Sequence, residues 1–250
     1  MRSILGGSLA QSPLETRRVL RHSGVMQRYR PSMIALAICL AALAGFVDAL
    51  AYSSLGGFFA SFMSGNTTRL GVAFATERYD EVRMAGALLL SFVSGVMIAT
   101  VIARRWAKHA QAAVMIAVTL LLALAATIMQ VAPNTKALLL LAAAMGAENG
   151  LFLRDGEVSI GLTYMTGSLV RMAQRLAGAL MGDADRWIWV RYLLLWLGFV
   201  SGVVMGARCY GALDTGALWL ATGAAALLTL VVAVMARNAE PAGPWGARAG

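Results

Sequence analysis

The chain has 250 residues, of which 59% are hydrophobic and only 13% are charged, and its net charge is +9. Soluble domains carry about 25% charged residues, so this composition argues against a soluble enzyme, a disordered chain and a nucleic-acid-binding protein. The first thirty residues hold six arginines, and most other basic residues fall between apolar runs. Basic residues have this placement in polytopic membrane proteins.

Eight apolar segments follow one another along the chain, each near the length of about 20 residues that a membrane helix needs. They cover residues 33–54, 57–76, 84–103, 111–131, 136–153, 158–180, 190–208 and 215–236. None of them alternates between apolar and polar residues as a half-buried strand would. The sequence therefore predicts an all-α fold, a polytopic bundle of membrane helices.

Segments two and six differ from the others because each contains a polar break followed by an arginine. The breaks read Ser64-Gly65-Asn66 and Thr166-Gly167-Ser168, and Arg69 and Arg171 come three residues after them. An arginine deep in a bilayer costs at least about 2.5–3.5 kcal/mol. Unless these arginines reach an interface, they must face protein or water, so we expect both segments to be broken or re-entrant.

The two halves of the chain resemble each other, which predicts an internal duplication. Residues 45–50 match residues 146–151 at an offset of 101, and the two polar breaks match at an offset of 102. The run Phe-Val-Ser-Gly-Val occurs at residues 92–96 and again at residues 199–203. If segments two and six cross the bilayer, the repeats are parallel, and if they are re-entrant, the repeats are inverted. The central polar breaks favour the re-entrant form.

These patterns divide the chain into four parts: a basic tail at 1–32, a first membrane repeat at 33–131, a second at 132–236 and a disordered tail at 237–250. No convincing small-residue cleavage site precedes the first apolar segment, so we expect that helix to be retained. Parallel and inverted repeats both leave the two termini in the cytoplasm.

Four motifs carry a resemblance to a known family. They are Gly45-Phe46-Val47-Asp48-Ala49, the run from Gly56 to Thr68, the run from Ala144 to Gly150 and the run from Thr163 to Leu169. With these motifs the chain resembles the YoaK family of bacterial inner-membrane proteins over nearly all of residues 33–236. The resemblance implies a multi-pass protein of the bacterial inner membrane, but no substrate and no reaction. The family usually shows Gln-Asn-Ala where this chain has Glu148-Asn149-Gly150. A role that needs a neutral amide at position 148 is therefore not expected to carry over to this chain.

The two polar breaks are the best candidates for a solute site. A helix that begins inside the membrane exposes unpaired N–H groups and a positive dipole end, and Asn66 and Ser168 are residue types that cap such ends. Two ends meeting between the halves would attract an anion. The predicted solute-binding residues are Ser64, Gly65, Asn66, Thr67, Arg69, Thr166, Gly167, Ser168 and Arg171. The alternative is that the breaks only allow tight packing and the arginines lie at a cytoplasmic interface.

Acidic and amide side chains inside apolar segments are candidates for coupling to protons or charge. They are Asp48 in the first segment and Glu148 with Asn149 at the equivalent place in the second half. Ionisable groups within membrane segments often mark proton or ion pathways. The alternative is a structural ion pair, either Asp48 with Arg171 or Glu148 with Arg69.

We infer from the membrane segments, which lack a catalytic set, a nucleotide fingerprint and metal-ligand spacing, that the protein is not an enzyme and holds no cofactor or metal. The first hypothesis is a small secondary transporter or permease for a small solute, with an anion as one candidate. The alternative is a membrane scaffold or accessory protein that transports nothing. The expected partners are the lipid bilayer and a small solute of unknown identity, with no nucleic acid, and a homo-oligomer is left open.

Overall fold

A computed structural model describes residues 31–54, 56–131, 135–154, 157–158, 163–182 and 186–238. The predicted basic tail and the predicted disordered tail lie almost entirely outside these residues. The described part of the chain contains eight α-helices. They are α1 (Pro31–Ser54), α2 (Met63–Ala75), α3 (Tyr79–Arg105), α4 (Ala110–Val131), α5 (Thr135–Asn149), α6 (Met165–Leu180), α7 (Ile188–Leu213) and α8 (Ala217–Asn238). The prediction of an all-α membrane helix bundle is confirmed.

One small hairpin departs from the expectation that no strand would form. Strand β1 (Leu153–Arg154) pairs antiparallel with β2 (Glu157–Val158), with Leu153 opposite Val158. Strands of two residues are too short to leave an alternating pattern in the sequence, which is why the hairpin was not predicted. It lies between α5 and α6, and a 3-10 turn at Gly150–Phe152 leads into it.

Within the described residues, four stretches are long and apolar enough to cross a membrane: Pro31–Ser54, Tyr79–Arg105, Ala107–Val131 and Ile188–Arg237, the last of which covers both α7 and α8. Helices α2 and α6 have only 13 and 16 residues. At a rise of about 1.5 Å per residue they span roughly 20–24 Å, less than the hydrocarbon core of about 30 Å. The residues directly before each of them are not helical. Both segments therefore hold a short helix preceded by irregular chain, as the prediction of broken segments requires.

Helices α1 and α5 form the centre of the bundle. Every residue of α5 from Leu141 to Asn149 is buried, as are most residues in the second half of α1. By contrast, α3, α4 and α8 leave large apolar side chains exposed, among them Leu90, Leu120 and Leu227. Such apolar surfaces are what a bilayer requires of the helices that surround the core.

Glycines bring the helix backbones together where α1 crosses α7. Gly45 lies against the carbonyl group of Phe199, and Gly202 lies against the carbonyl group of Ala42. A Cβ atom at either glycine would overlap the facing carbonyl oxygen. Between helices in a membrane, close backbone contact of this kind supplies much of the packing energy.

The crossing of α3 with α5 repeats this arrangement. Gly146 lies against the carbonyl group of Phe92, and Gly95 lies against that of Ala143. These four residues are the equivalents, by the repeat spacing, of the four that build the crossing of α1 with α7. The other contacts correspond as well: α2 packs on α3 as α6 packs on α7, and α4 packs on α5 as α8 packs on α1. Each of these contacts in one half thus has an equivalent in the other, which supports the predicted duplication. The duplication, like the domain boundaries, stays a prediction.

Lengthening the side chain at a glycine of the crossing should destabilise the protein, because the facing backbone cannot move aside. We expect Gly202→Val to cost about 1–3 kcal/mol, the usual range for overpacking. For a chain of this size each kcal/mol corresponds to a fall of about 2–4 °C in the midpoint of thermal unfolding, measured in detergent. Gly223→Val on α8 is the matched control, since a Cβ at Gly223 meets nothing within 4 Å. Equal midpoints for the two variants would contradict the packing account.

Candidate functional site

A hollow of about 350 Å³ lies between the start of α2 and the start of α6. Residues 61–64 line it from the first half of the chain, residues 163–167 from the second, and Leu89, Phe92 and Val93 of α3 close one side. Val93 and Tyr164 are exposed, so the hollow reaches the surface of the protein. The starts of the two short helices therefore lie at the same hollow.

The two short helices begin earlier than the polar breaks suggested. Phe62 and Tyr164 occupy the N-cap positions, and neither makes a side-chain hydrogen bond that caps its helix. Asn66 and Ser168 lie one turn inside the helices, so the expectation that they act as N-caps is wrong. In α2 the N–H groups of Gly65 and Asn66 donate to the carbonyl oxygen of Phe62, at 3.1 and 3.3 Å.

Asn66 instead supports the irregular chain before α2. Its side-chain oxygen accepts from the backbone N–H of Phe59 at 3.1 Å, and its Nδ2 donates to the backbone oxygen of Phe59 at 2.7 Å. Asn66 is completely buried, and a buried backbone outside a helix or sheet needs such partners. The amide thus replaces both hydrogen bonds that a neighbouring strand would supply.

Asp48 ties the same irregular chain to α1. The backbone N–H and the hydroxyl group of Ser61 both donate to the Asp48 carboxylate, each at 2.6 Å. The backbone amides of Ala60 and Phe62 also point toward it. Asp48 is buried, so these donors replace the water that the carboxylate has lost.

The second half contains an equivalent contact built from neutral groups. The hydroxyl group of Thr163 donates to Oδ1 of Asn149 at 3.2 Å, while Nδ2 of Asn149 donates to the backbone oxygen of Met145 at 2.8 Å. Asn149 matches Asp48, and Thr163 matches Ser61, by the repeat spacing. In both halves, therefore, the end of a central helix holds the chain that leads into a short helix.

Glu148 is completely buried, and neither of its carboxyl oxygens has a hydrogen-bond partner in the described part of the chain. Asp48 lies close enough to act on it electrostatically. The ion pairs considered from the sequence, Asp48 with Arg171 and Glu148 with Arg69, do not form. Asp48 is held by Ser61, and Arg69 is occupied elsewhere, so those structural alternatives are wrong.

Arg69 faces away from the hollow. Its Nη1 donates to the backbone oxygen of Gly57 at 2.6 Å, its Nη2 lies 3.4 Å from Glu81, and its guanidinium group lies 3.9 Å from the centre of the Phe58 ring. Arg69 follows Ser64 by five residues, which places it about 140° further around the helix. Gly57, at φ +83°, leaves the space that the guanidinium group fills.

The remaining predicted residues divide between the hollow and its supports. Ser64, Thr166 and Gly167 line the hollow. Gly65 packs against the rings of Phe62 and Phe59, and the hydroxyl group of Thr67 donates to the backbone oxygen of Met63 at 2.8 Å. Ser168 is buried and Arg171 is exposed on α6.

Nine residues that line the hollow were not predicted as site residues, among them Ser61, Phe62, Thr163 and Tyr164. The signal that could have found these four is the repeat itself, because an offset of 102 pairs Ser61 with Thr163 and Phe62 with Tyr164. A second hollow, of about 430 Å³, lies beside the first and shares Phe62 and Met165 with it. Asp48 lines this second hollow among largely apolar side chains.

Metal-binding side chains do not cluster in the described part of the chain, where no three His, Cys, Asp or Glu residues come together. Cys39 and Cys209 are free thiols. The side chains that line the first hollow are hydroxyl-bearing, apolar or aromatic, and none of them is charged. The site can therefore offer hydrogen bonds and apolar contacts to a ligand.

Comparison with known proteins gives a consistent family. The family model described as "Protein of unknown function (DUF1275)" matches residues 36–231. The UPF0700 transmembrane protein RA0705 of Rhizobium meliloti (strain 1021) is 36% identical over 216 residues, which are 84% of this chain and 91% of the relative. The UPF0700 transmembrane protein YoaK of Bacillus subtilis (strain 168) is 29% identical over 177 residues, 67% of this chain and 76% of the relative. No solved structure matches the chain.

Removing the Asn66 amide should destabilise the start of α2, because it leaves both polar groups of the Phe59 backbone without partners. A buried group that loses its hydrogen bond costs about 1–3 kcal/mol, so Asn66→Ala should lower the midpoint of thermal unfolding clearly. Thr67→Ala is the control, since Thr67 is exposed and bonds only within its own helix. A variant Asn66→Ala as stable as Thr67→Ala would show that Asn66 does not support the irregular chain.

Proposed function

The chain belongs to the family described as Protein of unknown function (DUF1275), and on that premise we propose that it is a small permease whose solute passes through the hollow between α2 and α6. The observation that carries the proposal is that two short helices, one from each half, begin at the same hollow. Secondary transporters built from repeated halves bind their substrates at such discontinuous helices. The volume of about 350 Å³ suits a small molecule, since ligand pockets range upward from about 300 Å³.

The chemistry of the hollow favours a small solute that is neutral or carries a single negative charge. The first residues of α2 and α6 line it, and the positive end of a helix dipole disfavours a cation. Hydroxyl groups of Ser64 and Thr166 line it and are available as donors or acceptors. Recognition of an anion would rest on the helix ends alone, because Arg69 is bound to Gly57 and Glu81 and Arg171 does not line the hollow.

The proposed location is the bacterial inner membrane, with both termini in the cytoplasm. Its support is the transmembrane designation of the bacterial relatives and the six arginines before residue 31, which favour a cytoplasmic N-terminus. We also propose that the two halves are a duplication, supported by the matching glycine crossings. The alternative function is a scaffold that transports nothing, and it predicts a hollow that water does not enter.

Water in the hollow can be tested by thiol labelling. In a chain carrying Cys39→Ala and Cys209→Ala, we expect Ser64→Cys and Thr166→Cys to react with a negatively charged, membrane-impermeant methanethiosulfonate in proteoliposomes. The control is Thr229→Cys, because the Thr229 hydroxyl group is packed against Thr119 at 3.0 Å between α4 and α8. If all three cysteines are equally protected, the hollow opens only to lipid, and this result favours the scaffold alternative.

Filling the hollow should slow the passage of solute. Gly167 lines the hollow, and a Cβ there meets only the Tyr164 Cβ, at 3.9 Å. Gly167→Leu should therefore project into open space and reduce permeation about tenfold, as a rise of ~1.4 kcal/mol in the barrier would. The measurement is the reswelling rate of proteoliposomes in urea, glycerol or sodium formate, followed by light scattering.

The control for this experiment is Gly71→Leu, which adds the same side chain to α2 where a Cβ meets nothing within 4 Å. It should leave the reswelling rate unchanged. Reswelling no faster than in protein-free liposomes for all three probes would contradict the permease proposal. An equal loss in both variants would contradict the placement of the path.

A further inference from the structure

Glu148 is the one carboxyl group in the described part of the chain that is buried and has no hydrogen-bond partner. It belongs to the last turn of α5, next to Asn149, which bonds to the chain leading into α6. A carboxylate anion transferred from water into an apolar interior is strongly disfavoured unless donors or a cation compensate it. The position therefore needs an occupant that the side chains of the described residues do not supply.

The helices packed against α5 offer no compensating charge. Helix α3 carries no ionisable side chain between Met84 and Ala103, and α4 carries none over its whole length. The third neighbour, α1, contributes Cys39, Tyr52 and Asp48. Of these, Asp48 acts on Glu148, and it is a second acid whose effect on a Glu148 anion is repulsive.

We propose that Glu148 is a proton-binding site, and that the permease exchanges this proton with water during its cycle. The inference rests on the proposed function for the cycle, but the proton site itself stands on the isolation of Glu148. A bound proton makes the buried carboxyl group neutral and so removes the need for a countercharge. To release the proton, the group must gain water or a donor, so proton release requires a rearrangement around the end of α5.

A proton fits this position better than a metal cation. Hard cations such as Mg²⁺ and Ca²⁺ bind six or more oxygen ligands, and here both oxygens of the second acid are already bound to Ser61. Asp48 and Asn149 are thereby assigned to holding the irregular chain. Glu148 is left as the acid that is free to change its protonation.

The test is infrared spectroscopy of the purified full-length protein in lipid, which resolves the C=O stretch of protonated carboxyl groups from that of carboxylates. At neutral pH we expect a protonated band in the wild type that loses the amplitude of one carboxyl group in Glu148→Gln. The control Glu77→Gln, at an exposed residue, should leave the band unchanged. Identical bands in the wild type and in Glu148→Gln would overturn the proposal.

A second measurement covers the case in which Glu148→Gln does not fold. Dicyclohexylcarbodiimide modifies protonated carboxyl groups in apolar surroundings, because the acid O–H adds across a C=N bond of the reagent. Mass spectrometry of the treated wild type should find the adduct at Glu148 and not at Glu77. Absence of the adduct at Glu148 would overturn the proposal.

The two proposals fail in different ways. If a protonated band is assigned to Glu148 but urea, glycerol and formate do not permeate, the proton-site proposal stands and the permease proposal is wrong. If Gly167→Leu blocks permeation but the band is unchanged in Glu148→Gln, the permease proposal stands and the proton-site proposal is wrong.

Discussion

Inside a membrane, a chain that leaves the helical conformation must find hydrogen-bond partners for its backbone within the protein. The stretch before α2 depends on this constraint. Asn66 supplies a donor and an acceptor to Phe59, and Asp48 accepts two hydrogen bonds from Ser61. These few polar contacts allow α2 to begin in the middle of an apolar segment. The short helix, the hollow at its end and any path through that hollow all follow from them.

The buried polar residues thus divide into two kinds, and the division depends on their neighbours. Asp48, Asn66 and Asn149 each form a hydrogen bond with nearby irregular chain, so their first role is to hold it in place. The described helices around Glu148 offer it no hydrogen-bond partner. A buried polar group without such a partner in a native structure calls for an explanation. Two acids that sit close together therefore have different environments, which is a common basis for assigning them different tasks.

Much of the fold can be read from the sequence because membrane insertion leaves strong local signals. Apolar length predicted the helices, and the glycine-containing polar runs around Gly65 and Gly167 marked the broken segments. The prediction that Asn66 and Ser168 are N-caps was wrong because it assumed that each side chain bonds to the first turn of its own helix. In the structure Asn66 bonds instead to Phe59, seven residues earlier. The roles of Arg69 and Glu148 could not be read locally either, since Glu81 and the bare faces of α3 and α4 come from other helices.

The glycine crossings have a consequence for how the protein is made. Helix α1 finds its glycine-to-backbone partner in α7, and α3 finds its partner in α5, so both crossings join the first half to the second. A nascent chain that ends after α4 has therefore inserted four helical segments without forming either crossing. Contacts between distant parts of a sequence form late and leave surfaces uncovered in the meantime. During biogenesis, the surface of α1 around Gly45 must remain without its helix partner until α7 is made, more than a hundred residues after α1 ends.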